Sequence, residues 1–312
     1  MRRRFVAFVL LSWTVAACGA LLGIEQLPLL EESDAAVGDA ADAADAAPQC
    51  IDDPRLGCQN CPHAFCDDFD LDAGEAGVGS RWISPVTPSG GPIFQARDGS
   101  AARGRLVPDN VSPPFGFEAF VSSNGGSSVA FLVNQIGKHE PGANFAGVRY
   151  RFKTRVQALD VSLSGAQLTD SGGVIFAGIG PSDLASSAIG LFLNADGLWV
   201  ALATNLLTET NADGSVHSIT SLSGFGDQPI PIDVFVTTRE RALAEHLKCE
   251  AVSTPTVVAV RVSPIFQGCF APIGPLADIA WTRDPTILLG ASTFGQGTVG
   301  LVHDNVEVDF LE

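Results

Sequence analysis

Basic residues are scarce in this chain. Its 312 residues carry 18 Lys and Arg against 35 Asp and Glu, a formal charge of −17. That argues against a nucleic-acid partner, whose phosphates require a basic footprint, and against anionic membrane surfaces. Long apolar runs are also missing: beyond the first eighteen residues none reaches the roughly 20 residues of a spanning helix. There is one Met, and helix-period apolar repeats are few, which weighs against a helical fold. The five His are scattered along the chain. Neither a Gly-x-Ser-x-Gly elbow nor a His-Glu-x-x-His zinc helix occurs. His139-Glu140 runs straight into Pro141, which breaks the helix that motif needs. What is abundant is Gly, at 33, and Pro, at 19. This is the composition of many short strands joined by turns.

The N-terminus carries an address. Arg2, Arg3 and Arg4 precede an uncharged apolar or small-residue run, Phe5 to Ala17, that ends in Val15-Ala16-Ala17-Cys18. This reads as a secretory signal, too short for a permanent membrane helix. The small-small-Cys ending resembles a bacterial lipobox. The resemblance implies that Cys18 receives a diacylglycerol and becomes the mature N-terminus. Gly19 stands where an Asp would mark inner-membrane retention, which implies a lipid anchor in the outer membrane or at the cell surface of a Gram-negative bacterium. Cleavage removes three arginines and leaves 15 basic against 35 acidic residues, a charge of −20. Such acidity favours solubility.

Residues 19–49 turn to Asp, Ala and Gly, with seven acidic residues and no Lys or Arg between Cys18 and Cys50. A segment with so little to bury, and with self-repelling charge, is expected to be an extended, disordered tether. Six cysteines remain after Cys18: Cys50, Cys58, Cys61, Cys66, Cys249 and Cys269. An even count in an oxidising compartment implies three disulfides. Cys249 and Cys269 stand apart and are expected to pair, while the other four allow three pairings. Cys58-x-x-Cys61-Pro62-His63, within the Cys-rich segment 50–63, nearly spells a c-type haem site, but Pro62 displaces the His. Zinc on Cys58, Cys61, His63 and Cys66 is a second option, which the oxidising compartment disfavours.

Residues 64–312 form one region without an internal linker. Alternation is clearest over Gly147–Val156. Val148, Tyr150, Phe152 and Val156 share one face, and Arg149, Arg151, Lys153 and Arg155 share the other. Further strands are expected at Ala64–Phe69, Ser128–Ile136, Gly173–Ile179, Ile232–Thr238, Thr256–Val262, Thr286–Ser292 and Val299–Leu311. Two hairpins are expected. One joins Ser187–Leu193 to Leu198–Thr204 around Asn194-Ala195-Asp196-Gly197. The other joins Leu206–Thr210 to Ser215–Ser221 around the repeated tetrapeptide at 211–214. Ala242–Lys248 is a short helix. The fold class expected is all-β, a sandwich. Phe65-Cys66-Asp67-Asp68-Phe69-Asp70 with Trp82, and the closing His303-Asp304-Asn305-Val306-Glu307-Val308-Asp309-Phe310, resemble the first and last strands of exported proteins with a concanavalin A-like (laminin-G-like) jelly roll. The resemblance implies two curved antiparallel sheets, one of them bearing a glycan or other ligand.

Several motifs compete for a chemical role. Gly295-x-Gly297-x-x-Gly300 matches a dinucleotide fingerprint in letters, but a strand follows where a helix is required. A Gly-rich turn is expected there. Glu307-Val308-Asp309 begins the Glu-x-Asp-x-Glu of concanavalin-like glucanases. Leu311 ends it, so no catalytic residue is assigned. Trp82, Trp199 and Trp281 could stack on sugar or fill the core. No cofactor is expected, although Asp196 and Asp213 at the turns could touch calcium. The stripe Arg149, Arg151, Lys153, Arg155 suits either an anion site for acidic polysaccharide or lipopolysaccharide phosphate, or a solvated convex face paired across strands. The jelly-roll resemblance implies that segments 147–156 and 302–310 are antiparallel neighbours, with Glu307 or Asp309 in ion-pair reach of Arg149, Arg151 or Lys153. On that strand His303 and Asn305 are expected on the polar face. The functional expectation is a non-catalytic jelly-roll domain for carbohydrate or cell-surface recognition. The alternatives are a diverged polysaccharide hydrolase or lyase, and a structural envelope protein.

Overall fold

The computed structural model describes residues 58, 63–69, 82, 92–96, 100–108, 115–137, 144–161, 174–182, 187–205, 210–211, 216–221 and 228–312. The signal, the tether, Cys18, Cys50, Cys61 and Asp213 lie outside them. The described strands are β1 (Phe65–Asp67), β2 (Ile93–Ala96), β3 (Ala101–Pro108), β4 (Phe115–Gln135), β5 (Gly147–Val161), β6 (Val174–Gly180), β7 (Ala188–Asn194), β8 (Gly197–Asn205), β9 (Thr210–Asn211), β10 (Val216–Ser221), β11 (Ile230–Thr238), β12 (Thr256–Val262), β13 (Phe266–Phe270) and β14 (Thr286–Leu311). One short helix, α1 (Arg239–Ala244), separates β11 from β12.

All pairings are antiparallel, and they resolve into two sheets. The first runs β10-β8-β7-β6-β14-β4-β2 through residues 286–294 of β14. The second runs β3-β4-β14-β5-β11-β12-β13 through residues 296–311 of β14, with β1 beside its last turns of chain. The two long strands β4 and β14 pass from one sheet into the other, which makes the concanavalin A-like jelly-roll sandwich. The corner is a bulge: Phe294 faces Ser127 and Gln296 faces Asn124, so Gly125 and Gly126 oppose Gly295 alone. Bulges and glycines are how strands turn such corners. The expected Gly-rich turn is thus corrected. Gly295 to Gly300 lie inside one continuous strand, and Thr286–Ser292 and Val299–Leu311 are two arms of it.

Between the sheets lies one core. The first sheet contributes Leu132, Phe176, Ile189, Leu191, Val200 and Leu289. The second contributes Phe117, Val148, Tyr150, Phe152, Val234, Val260 and Val308. Tyr150 Oη donates across the sandwich to the Leu288 carbonyl at 3.2 Å. Trp82 is core too: it is 2% exposed, stacks on Phe69 and donates to Asp67 Oδ2 at 2.8 Å. Asp67 Oδ1 also accepts the Phe69 N–H at 2.9 Å, where Phe69 takes a left-handed φ of 59°. One carboxylate therefore organises the opening motif, and β1 sets Phe65 against Val308 and Asp67 against Val306.

The first expected hairpin exists, with Asn194 Oδ1 accepting from the N–H groups of Asp196 and Gly197. A side chain at Gly197, with φ 153°, would meet the Thr220 carbonyl at 2.0 Å. Of the second, residues 206–209 and 212–215 lie outside the described residues, and its described parts, β9 and β10, both pair with the same edge of β8 rather than with each other. The helix begins three residues before the expected Ala242 because Thr238 Oγ1 caps the Arg241 N–H. It ends before Lys248, as His246 and Lys248 adopt positive φ. β2, β3, the first half of β4, and β13 lie outside the expected set. Edge placement explains β2, β3 and β13: none is fully buried, β2 and β13 do not alternate in exposure, and in β3 the half-buried positions fall on Ala102 and Gly104, which carry little apolar signal.

Candidate functional site

The site is built by register. On the outer face of the second sheet, Glu307 of β14 faces Arg151 of β5, Arg151 faces Asp233 of β11, and Asp233 faces Arg261 of β12. Adjacent strands are about 4.8 Å apart, so charges alternate along one row and bond in sequence. Glu307 Oε2 takes Arg151 Nη1 at 3.2 Å, Asp233 Oδ1 takes Arg151 Nε at 2.6 Å, and Asp233 Oδ2 takes Arg261 Nε at 3.0 Å. The side chains of Arg151, Asp233 and Glu307 are 11%, 4% and 3% exposed. The expected strand pairing and its ion pairs are present, but a solvated face is not: the row is nearly buried.

One row further, Asp309 faces Arg149. Asp309 Oδ2 accepts Arg149 Nη2 at 2.6 Å, while its Oδ1 meets His63 Nδ1 at 2.6 Å. The hydrogen bond to Asp309 raises the His63 pKa. Burial pushes Asp309 up, yet His63 and Arg149 outweigh it and hold the carboxyl below its usual range. Glu307 goes the other way, because burial outweighs Arg151. His63, Glu307 and Asp309 bring ligand atoms within 4.8 Å of one another. Arginines already hold both carboxylates, so this is an ion-pair cluster that suits a metal poorly. Cys58 and Cys66 are joined as a disulfide, which withdraws both from any zinc set, and Cys249 is joined to Cys269.

On the other side of the row lies a bulge. β14 slips register between Asp304 and Glu307, with Asn305 at φ 48°. The slip reverses the phase of the strand. Before it Val299, Leu301 and His303 face the core, and after it Val306 and Val308 do. His303 is therefore no member of the polar face. It is fully buried among Phe117, Phe152 and Phe176. Its Nε2 donates to the Gly290 carbonyl at 2.9 Å, and its Nδ1 then accepts from Thr154 Oγ1 at 2.5 Å. Asn305 instead borders a depression of about 170 Å³, lined also by Lys153, Pro231, Ser263 and the row itself. Pro231 faces Lys153, and the Ser263 N–H donates to the Pro231 carbonyl. These short side chains leave the hollow beside the longer charged row.

Of the expected site residues, Arg151 and Lys153 line this depression. Arg149 belongs to the Asp309 cluster, and Arg155 sits further along, opposite Val302. Trp199 and Trp281 are elsewhere. Trp199 packs on the far face of the first sheet with Nε1 donating to Asn194, and Trp281 donates to the Leu276 carbonyl from a 3₁₀ turn. That far face is apolar and buried, with Phe131, Val133, Ile175, Phe192 and Leu288. Asp196 is exposed at its turn, where Asn194 already caps the backbone. Sequence reasoning missed Asp233, Arg261 and Ser263, and it put Asn305 on the polar face without giving it a role. The available signal was one Asp between Ile232 and Val234 and one Arg between Val260 and Val262: single opposite charges on apolar strands.

No family model matches the chain, and no curated protein matches its sequence. Among solved structures it is similar in outline to the cellulose induced protein Cip1, with a TM-score of 0.41, 13% identity, and coverage of 78% of this chain and 95% of that one. It is similar to peanut lectin at TM-score 0.33, 10% identity, and 71% and 97% coverage. A laminarinase from Flavobacterium sp. UMI-01 gives TM-score 0.35, 8% identity, and 70% and 81% coverage.

Proposed function

We propose that residues 64–312 form a non-catalytic recognition module that binds carbohydrate outside the cytoplasm, held at the outer membrane or cell surface by a lipid on Cys18. The observation that carries the binding reading is the ion-paired row beside the depression. Buried ion pairs add little to stability compared with apolar packing. They do fix donors and acceptors in rigid positions, and a hollow with a few well-placed polar groups is what a small polar ligand requires. A sugar unit offers hydroxyls that both donate and accept, matching carboxylates and guanidiniums set side by side. Two disulfides suit an oxidising compartment. A glycan-binding screen on the mature chain, with and without calcium, tests the reading. Asp233→Asn, in protein that still melts cooperatively, is expected to weaken the best ligand at least about tenfold. Unchanged binding sinks this site.

A second reading, a diverged polysaccharide hydrolase or lyase, is favoured by one observation. Glu307 and Asp309 share a strand face and their pKa values move apart, upward for Glu307 and downward for Asp309. Acid/base pairs are made that way. Release of new sugar ends from polysaccharide, lost in Glu307→Gln, would support it. No release leaves the binding reading in place. The anchor has its own test: mass spectrometry of the mature N-terminus is expected to find diacylglycerol on Cys18, and an unmodified N-terminal residue elsewhere refutes it.

A further inference from the structure

Three cationic side chains line the depression, and two of them retain unused donors. Arg151 is engaged by Asp233 and Glu307. Arg261 uses Nε on Asp233 and lies over the Phe235 ring, 5.4 Å from its centroid, which leaves its terminal guanidinium nitrogens without an acceptor among the described residues. Lys153 makes no ion pair or hydrogen bond among the described residues. Asp304 stands opposite it in register, but is 2% exposed, accepts the Asn305 N–H and does not line the hollow. The lining therefore holds three positive groups against two carboxylates, Asp233 and Glu307, in a chain whose total is strongly negative. The imbalance is one positive charge.

From this we infer that the depression selects an acidic sugar, a hexuronate unit of a polyuronic chain, with its carboxylate on Lys153 and the free edge of Arg261. The inference rests on the carbohydrate reading above and narrows it. A planar carboxylate fits a guanidinium edge, and its single charge matches the single excess positive charge. A phosphate monoester, at about −1.5 to −2, would overfill it. Ser263 Oγ, with the spare lone pairs of Asp233 and Glu307, then faces the ring hydroxyls. The hollow is smaller than the ~300 Å³ at which drug-sized sites begin. It thus admits one unit of a chain and not several.

The experiment is titration calorimetry of the whole mature protein with polyuronate oligosaccharides, neutral gluco-oligosaccharides, dextran sulfate and inorganic phosphate. Lys153→Gln serves as the variant because Lys153 holds nothing in the fold, so its melting temperature should not move. The expected result is uronate binding that weakens with added salt and falls about tenfold or more in Lys153→Gln. Lys153→Arg should retain it. Uronate binding unchanged in Lys153→Gln overturns the inference, as does a preference for dextran sulfate or phosphate. Neutral sugars binding while uronates do not also overturns it, yet leaves the carbohydrate reading standing. Binding of no glycan at all removes both.

Discussion

Burial lowers the pKa of His303 from 6.5 to about 4. The ring spans the sandwich, joining Thr154 of the second sheet to the Gly290 carbonyl of the first. Its neighbours are aromatic rings, and among the described residues no charged partner compensates a proton there. Between pH 6.5 and about 4 the unfolded chain binds a proton on this residue that the folded chain refuses. Stability contributed by neutral His303 is therefore complete above pH 6.5 and is lost as the pH falls towards 4, by about 3 kcal/mol in all. His63 works in the opposite sense. Its folded pKa is raised, so its contribution is complete below its usual 6.5 and is lost as the pH rises through the folded value. A comparison isolates His303. His303→Leu is expected to cost about 2 kcal/mol at pH 7.5, since it strands a buried hydroxyl and a buried carbonyl. In urea unfolding at pH 4.5 the gap should close or reverse. A gap that is constant with pH would mean that His303 carries a proton when buried.

At the scale of elements, β5 was legible because basic and apolar residues alternate strictly over 147–156, and the closing arm of β14 because Val306, Val308 and Phe310 alternate with Glu307 and Asp309. The ion pairs of Arg149 and Arg151 follow from that alternation together with the strand neighbours that the jelly-roll resemblance implies. The site itself was not legible, for a reason just as local. Alternation carried through Asp304 and Asn305 puts His303 and Glu307 on one face, and only the extra residue of the bulge separates them. Asp233 and Arg261 were hidden because a lone charge on an apolar strand has no visible partner until strand order is known. The long strand β4 was half-read, since Asn124-Gly125-Gly126 has the composition of a turn and serves as a corner. The Cys249–Cys269 loop closes another element-scale question. Together with α1 it covers the opposite end of the same outer face, where Ala242, Leu247 and Cys249 pack on Phe235, Val257 and Ala259. Closing a loop over 20 positions contributes about 3 kcal/mol in the chain-entropy model. Cys249→Ala with Cys269→Ala is expected to lower unfolding free energy by about that amount. Hydrogen exchange should speed up in α1 and β13 more than in β5 and β14. Equal loss of protection everywhere would show that the loop is not a local lid on this end of the sheet.

On the scale of the whole molecule, β4 and β14 decide how the sandwich holds together. Each contributes one arm to either sheet, and they pair with each other along both arms, from Thr286 opposite Gln135 to His303 opposite Phe117. Neither sheet can lose its centre without stripping the other of two strands. The core between them is likewise shared, with Phe152 meeting Phe176 edge-on across the layers and Tyr150 bonded to Leu288. A domain of this length could in principle melt sheet by sheet, but this topology couples the halves covalently and through one core. Two tryptophans report on the halves separately. Trp82 sits in the core beside β1 of the second sheet, and Trp199 lies on β8 of the first. Variants that keep one of them, with Trp281 and the other replaced by Phe, are expected to give coincident urea transitions by fluorescence. Each transition should also match the loss of β-structure by circular dichroism. A Trp199 transition that precedes the Trp82 transition would mean that β6, β7, β8 and β10 open as a separate unit, and that the corner at Gly125-Gly126 and Gly295 behaves as a hinge rather than as a rigid turn of two continuous strands.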